Sequence, residues 1–134
     1  MKKTIFIDID GVFHDFSDDL FRYSPPFIEL LANRSVELVV HSTWRENMPF
    51  QKILDSFPKA LRPLIVGATE GGGRVDSIRR YIESNRISRF IVLDDAIDGF
   101  PAEWIDDGTL ILCFPNVGVS ESRVLDAVRK FLDS

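Results

Sequence analysis

Cysteine is nearly absent from this chain: Cys113 stands alone, so no internal disulfide can staple the fold. It lies in the apolar run 110–114, where it reads as a small core residue, and nothing nearby is placed to lower its pKa. A lone thiol suits a reducing compartment. Histidine is scarce too. His14 reads as a loop residue and His41 as a strand-end residue, and neither has metal-ligand spacing with a partner. No apolar stretch approaches the roughly 20 residues that span a bilayer. The run after Met1-Lys2-Lys3 is broken by Asp8 and Asp10, unlike a secretory signal. Positive charge is in deficit, with 16 Lys and Arg against 21 Asp and Glu, a net −5. That excludes broad, charge-driven binding to nucleic acid. Repeats, low-complexity tracts and linkers are missing. Gly71-Gly72-Gly73 is not followed by the G-K-[ST] of a nucleotide-binding loop. The expectation is one domain over residues 1–134, cytoplasmic, with no membrane contact.

What is present is a core. Apolar residues make up 45% of 134, enough to fold without staples. Apolar runs alternate with helical patterns, which predicts βαβ units and a parallel sheet. Residues 4–9 form the first expected strand, ending at the turn signal Asp10-Gly11. Residues 12–24 read as a loop or flap. Ser24-Pro25-Pro26 opens a helix to about residue 33. Residues 36–41 are the second strand. Residues 49–57 read as a short helix, and 61–66 as a short strand or an irregular segment. A helix follows over 74–84, with Val75, Ile78, Tyr81 and Ile82 on one face. Residues 90–93 are the third strand and 109–114 the fourth. Ser120 is expected to cap the last helix, to about residue 132.

The acids fall where the strands end. Asp8 and Asp10 close the first strand, Asp94 and Asp95 the third. In open α/β sheets ligands bind outside the carboxyl ends of the strands, near a switch in strand order. Two acidic pairs meeting there repel unless a cation lies between them, and carboxylates without His or Cys partners favour Mg²⁺. The second strand ends differently, in His41-Ser42-Thr43-Trp44-Arg45, whose hydroxyls and guanidinium suit phosphoryl oxygens. Arg74, at a helix start, adds a second cation. A carboxylate nucleophile, a second acid, a hydroxyl, a cation and a metal-binding acidic pair are the parts of phosphoryl transfer through an aspartyl-phosphate.

At these residues the chain resembles the haloacid dehalogenase-like (HAD) superfamily. Ile7-Asp8-Ile9-Asp10-Gly11-Val12 matches the motif D-x-D-G-[VT]; Ser42 or Thr43, Arg74 and Asp94-Asp95 match the other three motifs in order, over roughly the whole chain. Ser42-Thr43-Trp44-Arg45, Arg74 and Asn116-Val117-Gly118-Val119-Ser120 resemble small capless members, among them the phosphatase-like domains of RNA-repair proteins. Val119 stands where Leu is usual, and Arg74 where Lys is usual. The resemblance implies a three-layer α/β/α Rossmann-like sandwich with a mainly parallel sheet and no large cap. It implies Asp8 as nucleophile and Asp10 as general acid and base, which points to a phosphatase rather than a dehalogenase. Mg²⁺ would be held by Asp8, the Asp10 carbonyl and Asp94 or Asp95. Ser42, or Thr43, with Arg74 would bind phosphate; Ser42 lies closer to the strand end. Arg45 either joins them, stacks on Trp44 or pairs with an acid.

The expected partner is a phosphorylated substrate, a small molecule or a polynucleotide end. Asp10 and Gly11 as a plain turn, Arg74 as a solvated helix-start residue and Trp44 as a packing residue are the plainer readings. Asp98, Asp106 and Asp107 read as loop charges, with Asp98 also placed to support the metal site. The alternative function is a phosphate- or partner-binding module on the same fold. A receiver domain is excluded by the order of the acids.

Overall fold

The computed structural model describes residues 3–15 and 19–134; residues 16–18 of the expected loop lie outside the described residues. Five parallel strands form one sheet: β1 Lys3–Ile7, β2 Val36–Val40, β3 Ile65–Ala68, β4 Phe90–Asp94 and β5 Leu110–Leu112. Their order is β3-β2-β1-β4-β5. The chain winds outward from β1 to β3, then crosses to the other side of β1 for β4. The reversal therefore falls between β1 and β4, which pair directly, Ile7 with Leu93. Such a reversal opens a crevice at the carboxyl ends of the two strands.

The strands are apolar on both faces because both faces are covered. Side chains alternate along a strand. Ile5, Ile7, Leu38, Val40, Ile91 and Leu93 enter one cluster with helices α1 (Ser24–Leu31), α3 (Phe50–Ser56) and α6 (Ser122–Asp133). Phe6, Val39 and Val92 enter the other, with Val75 and Ile78 of α4 (Arg74–Asn85) and Trp104 of α5 (Ala102–Asp106). This is the expected three-layer sandwich, and no large cap is inserted in it. A short helix, α2 (Trp44–Asn47), follows β2 directly. Cys113 is buried, and burial pushes its thiol up to about 12, as a core role requires.

Two local expectations are corrected, and one open reading is resolved. The run 61–66, readable as a short strand or an irregular segment, divides: Arg62–Leu64 form a 3₁₀ turn around Pro63, and Ile65 and Val66 open β3. Ser120 does not cap the last helix. It closes a 3₁₀ turn, Gly118–Ser120, its hydroxyl on the Val117 carbonyl, and the helix begins at Ser122 after an extended Glu121. The fourth expected strand is shorter than residues 109–114, and α5 before it was not anticipated.

Gly118 joins this last turn to the loop after Asp10. Its φ is +49°, and an added Cβ would lie 2.1 Å from the Val12 carbonyl oxygen, which accepts the Val119 N–H at 2.8 Å. Backbone cannot yield as a side-chain tip can. Gly118→Ala is expected to cost roughly 2 kcal/mol or more, which for a chain of this size lowers Tm by about 8 °C. Calorimetry on the variant checks this; an unchanged Tm would show that the two loops separate at no cost.

Candidate active site

Asp8 follows β1 and Asp94 ends β4, so the two acids flank the reversal in strand order. With Asp95 they form one cluster: a carboxylate oxygen from each lies within 4.8 Å of the others. Gly11 permits this approach. Its φ is +79°, and a Cβ there would stand 2.3 Å from Asp95 Oδ2, so the D-G pair is more than a turn.

Asp8 is buried, and its Oδ1 accepts the Ile9 N–H at 2.8 Å. That bond aims the carboxylate and leaves Oδ2 for chemistry. Burial raises the Asp8 pKa to about 8, with the charges of Asp94 and Asp95 adding to it. Asp94 is fully buried. Its Oδ1 accepts Arg74 Nη1 at 2.8 Å and the Ala96 N–H at 2.9 Å. Burial likewise raises its pKa, to about 7, against the pull of Arg74. Its Oδ2 is buried without a hydrogen-bond partner. A buried, unpartnered carboxylate oxygen on an acid grouped with two others is what a divalent cation can satisfy, and an all-oxygen donor set suits a hard one. The residues therefore fit a metal.

His41 is part of the same cluster's surroundings, which its sequence position alone did not reveal. Its Nε2 lies 3.3 Å from the Leu93 carbonyl and 3.6 Å from Asp94 Oδ2. Complete burial, helped by the charges of Arg74 and Arg45, lowers its pKa to about 3, so the ring is neutral and donates to Leu93 rather than ion-pairing with Asp94.

The Asp10 carboxylate stands outside the acidic cluster. Trp44 Nε1 donates to its Oδ2 at 3.0 Å, and His14 Nε2 meets its Oδ1 at 2.9 Å. The Phe21 N–H donates to His14 Nδ1 at 3.1 Å, which puts the ring proton on Nε2 and makes that nitrogen the donor to Asp10. His14 is buried, with its ring 5.6 Å from that of Phe21 and 6.1 Å from that of Trp44. So the loop residue and the packing residue of the sequence reading both act on the second acid. A signal existed: each stands close to a strand end that carries expected site residues. What joins them is the turn at Phe21, whose φ of 63° no pattern of polarity announces.

Ser42 is buried and accepts the Trp44 N–H on Oγ at 3.2 Å, so its own O–H remains a donor. Thr43 is exposed. Arg45 neither stacks on Trp44 nor pairs with an acid among the described residues; its Nη1 donates to the carbonyls of His41 and Ser42 at 3.0 and 2.8 Å. Arg74 is tied to Asp94 and so is more than a solvated helix start. Asp98, Asp106 and Asp107 are exposed and outside the acidic cluster.

A parallel Rossmann-like sheet, no large cap, and an acidic cluster at the switch between β1 and β4 define a small HAD-like domain. The chain belongs to the family of HAD domains in Swiss Army Knife RNA repair proteins, whose pattern it matches over residues 4–124. No curated protein matches it. None of the helices among the described residues is long and apolar enough to cross a membrane.

Proposed function

We propose that the chain is a Mg²⁺-dependent phosphomonoesterase that works through an aspartyl-phosphate on Asp8. One observation carries this reading: Asp8 is pinned by one oxygen beside two further acids, while a separate acid two residues on is gripped by two N–H donors. A module that only bound phosphate would need no positioned second acid. In the first step Asp8 Oδ2 attacks phosphorus, the bond to the leaving oxygen breaks, and Asp10 supplies the proton that oxygen needs. In the second, water attacks the aspartyl-phosphate, Asp10 takes its proton, and the Asp8–phosphorus bond breaks to give phosphate and the free carboxylate. The Ser42 hydroxyl, rather than exposed Thr43, and the Arg74 guanidinium bind phosphoryl oxygens; Arg45 supports Ser42 through its carbonyl. Mg²⁺, held by Asp8, the Asp10 carbonyl and Asp94 or Asp95, would supply positive charge against the acids and the phosphoryl oxygens.

The substrate is a phosphomonoester reached through a capless site, whether on a small molecule or a polynucleotide end. Membership of a family found in RNA repair proteins supports the latter, while the net charge of −5 speaks against broad nucleic-acid binding. The test is Mg²⁺-dependent release of phosphate from an aryl phosphate. Release that needs Mg²⁺ supports the reading; folded, Mg²⁺-loaded protein that releases none overturns it.

Metal binding has its own signature in stability. Asp8 and Asp94 have folded pKa values raised above the ordinary 3.8. The fold thus binds their protons more tightly than the unfolded chain does. The stability this confers is fully present below about pH 4 and is lost as pH rises through the folded values of about 7 and about 8. Metal-free protein is expected to melt progressively lower as pH rises across that window. Millimolar Mg²⁺ should raise Tm most at the alkaline end, where the carboxylates are free to bind it. A Mg²⁺ effect that is flat with pH, or absent, would remove the cation from this cluster.

A further inference from the structure

The two edges of the sheet differ. The outer strands β3 and β5 each have one neighbour. Along β5 the Cys113 N–H turns inward to the Asp94 carbonyl at 2.8 Å. The Leu112 carbonyl therefore turns outward, because successive residues of a strand present their backbone groups to opposite edges. That carbonyl is taken: Arg123 Nη2 donates to it at 2.6 Å. Along β3 the Thr69 N–H turns inward to the Val40 carbonyl at 2.9 Å, so the N–H and C=O of Ala68 turn outward. Val66 is the extra residue of a bulge, since Leu38 pairs with Ile65 and Val39 with Gly67, and a bulged residue stands outside the ladder. Among the described residues no group beyond the sheet bonds to the backbone of Val66 or Ala68. Apart from that bulge, Ile65–Ala68 has none of the devices that keep a second chain off an edge: no charge and no proline.

Each face of this edge opens on a cavity. Helices α3 and α4 cover opposite faces of the sheet. Between the α2–α3 segment and residues 66–71 lies a cavity of about 530 Å³, with Met48, Phe50 and Ile53 as an apolar wall. Between α4 and the end of β3 lies another of about 270 Å³, whose wall of Ser77, Tyr81 and Asn85 is polar. A chain laid along β3 would send alternate side chains to opposite faces, an apolar one into the first cavity and a polar one into the second. Charge selects the occupant further. Glu46 and Glu70 line the first cavity and Glu70 the second; both are exposed, and neither carboxylate has a partner among the described residues. The cations nearby are engaged: Arg45 holds the carbonyls of His41 and Ser42, and Arg80 that of Gly71. The surplus is negative, so a basic chain is drawn to this edge and a polynucleotide is repelled. A second copy of β3 would bring its own Glu70 against the same acids.

We propose that the β3 edge is a strand-addition site for an extended, basic segment of a partner protein whose residues alternate apolar and polar. The segment's backbone pairs with Ala68 and the bulged Val66. Its apolar side chain packs on Phe50, its polar one enters the cavity beside Tyr81, and its lysines or arginines meet Glu46 and Glu70. The assignment is independent of the phosphatase reading, because it uses neither the acidic cluster nor the residues that bind phosphate.

The experiment is calorimetric titration of the full chain with a short capped peptide of alternating leucine and threonine, with lysine at both ends. Binding is expected with a Kd on the order of 100 μM. Glutamate in place of both lysines should weaken it about tenfold or more. Proline in place of a central threonine should weaken it about tenfold, through the lost ladder bond. On the protein, Ala68→Pro should have an effect of the same size and spare the ladder to β2, since the Ala68 nitrogen faces outward. Glu70→Lys should reverse the order of the lysine and glutamate peptides. Glu70 is exposed and its carboxylate has no partner, so this variant folds even where Ala68→Pro does not, and the Tm of each verifies it. Tighter binding of the lysine peptide, lost with proline and reversed in Glu70→Lys, supports the site. No binding at millimolar peptide overturns it, and so does binding indifferent to charge or to proline. A dimer in sedimentation that Ala68→Pro dissolves would put a second copy on this edge and overturn it as well.

Discussion

Asp8→Asn is expected to lower phosphate release by on the order of 10⁴-fold or more, with the fold intact. The amide keeps the oxygen that accepts the Ile9 N–H, and it keeps the size of the side chain. What it loses is the second carboxylate oxygen and with it the electron pair that forms the bond to phosphorus. No neighbour replaces it: Asp94 Oδ1 is held by Arg74 and Ala96, and Asp10 by Trp44 and His14. The loss should therefore appear in kcat at saturating substrate. Stability should move the other way. Asp8 ionises against burial and two like charges, so a neutral amide at that position raises Tm of metal-free protein near neutral pH. Lower activity together with higher Tm is the signature of a nucleophile held in an unfavourable setting. A variant that keeps more than about a hundredth of wild-type turnover would assign the nucleophile elsewhere.

Much of this arrangement was legible in the sequence, for reasons that differ by residue. Asp8 and Asp94 were readable because each ends a run of apolar residues, and a charged residue following a buried strand has few places to go but the sheet's carboxyl edge. Arg74 was readable because glycines break the chain just before it. The strand β3 was harder. It contains Gly67, which has little strand preference but sits against the Tyr81 hydroxyl, 2.6 Å from where a Cβ would be. Pro63 turns the first half of the apolar run 61–66 into a 3₁₀ turn, so only Ile65 and Val66 of that run enter the strand. The grip on Asp10 was least legible. It needs a histidine four residues away, a tryptophan 34 residues away and a backbone amide from Phe21 to converge. Residue type marks each as a donor, but convergence comes from tertiary packing alone. The cap expected of Ser120 failed for a related reason: Gly118, in a left-handed conformation against Val12, starts a 3₁₀ turn and moves the N-cap one residue on, to Glu121.

That grip yields the second large effect, and one that separates chemistry from packing. Asp10→Asn should lower kcat/KM, which reports formation of the aspartyl-phosphate, by about 10²–10⁴-fold for an alkyl phosphate and much less for an aryl phosphate bearing a stable phenolate leaving group, while the hydrolysis step common to both slows alike. The alkoxide cannot depart without a proton, whereas the phenolate can. Removing the donors that orient Asp10 should give a weaker copy of the same pattern. Trp44→Phe deletes the Nε1–H and leaves an aromatic ring in place, and His14→Phe does the same for Nε2. Each is expected to cost about tenfold on the alkyl substrate, the worth of one well-placed hydrogen bond. His14→Gln, whose amide nitrogen can stand near the imidazole Nε2, should recover most of that loss despite losing the ring contacts with Phe21 and Trp44. If His14 served only to fill space, His14→Phe would be the milder change and both substrates would suffer alike. A steeper dependence on leaving group in Asp10→Asn and His14→Phe, flattened again in His14→Gln, is the result that identifies Asp10 as the proton donor and His14 as the residue that aims it.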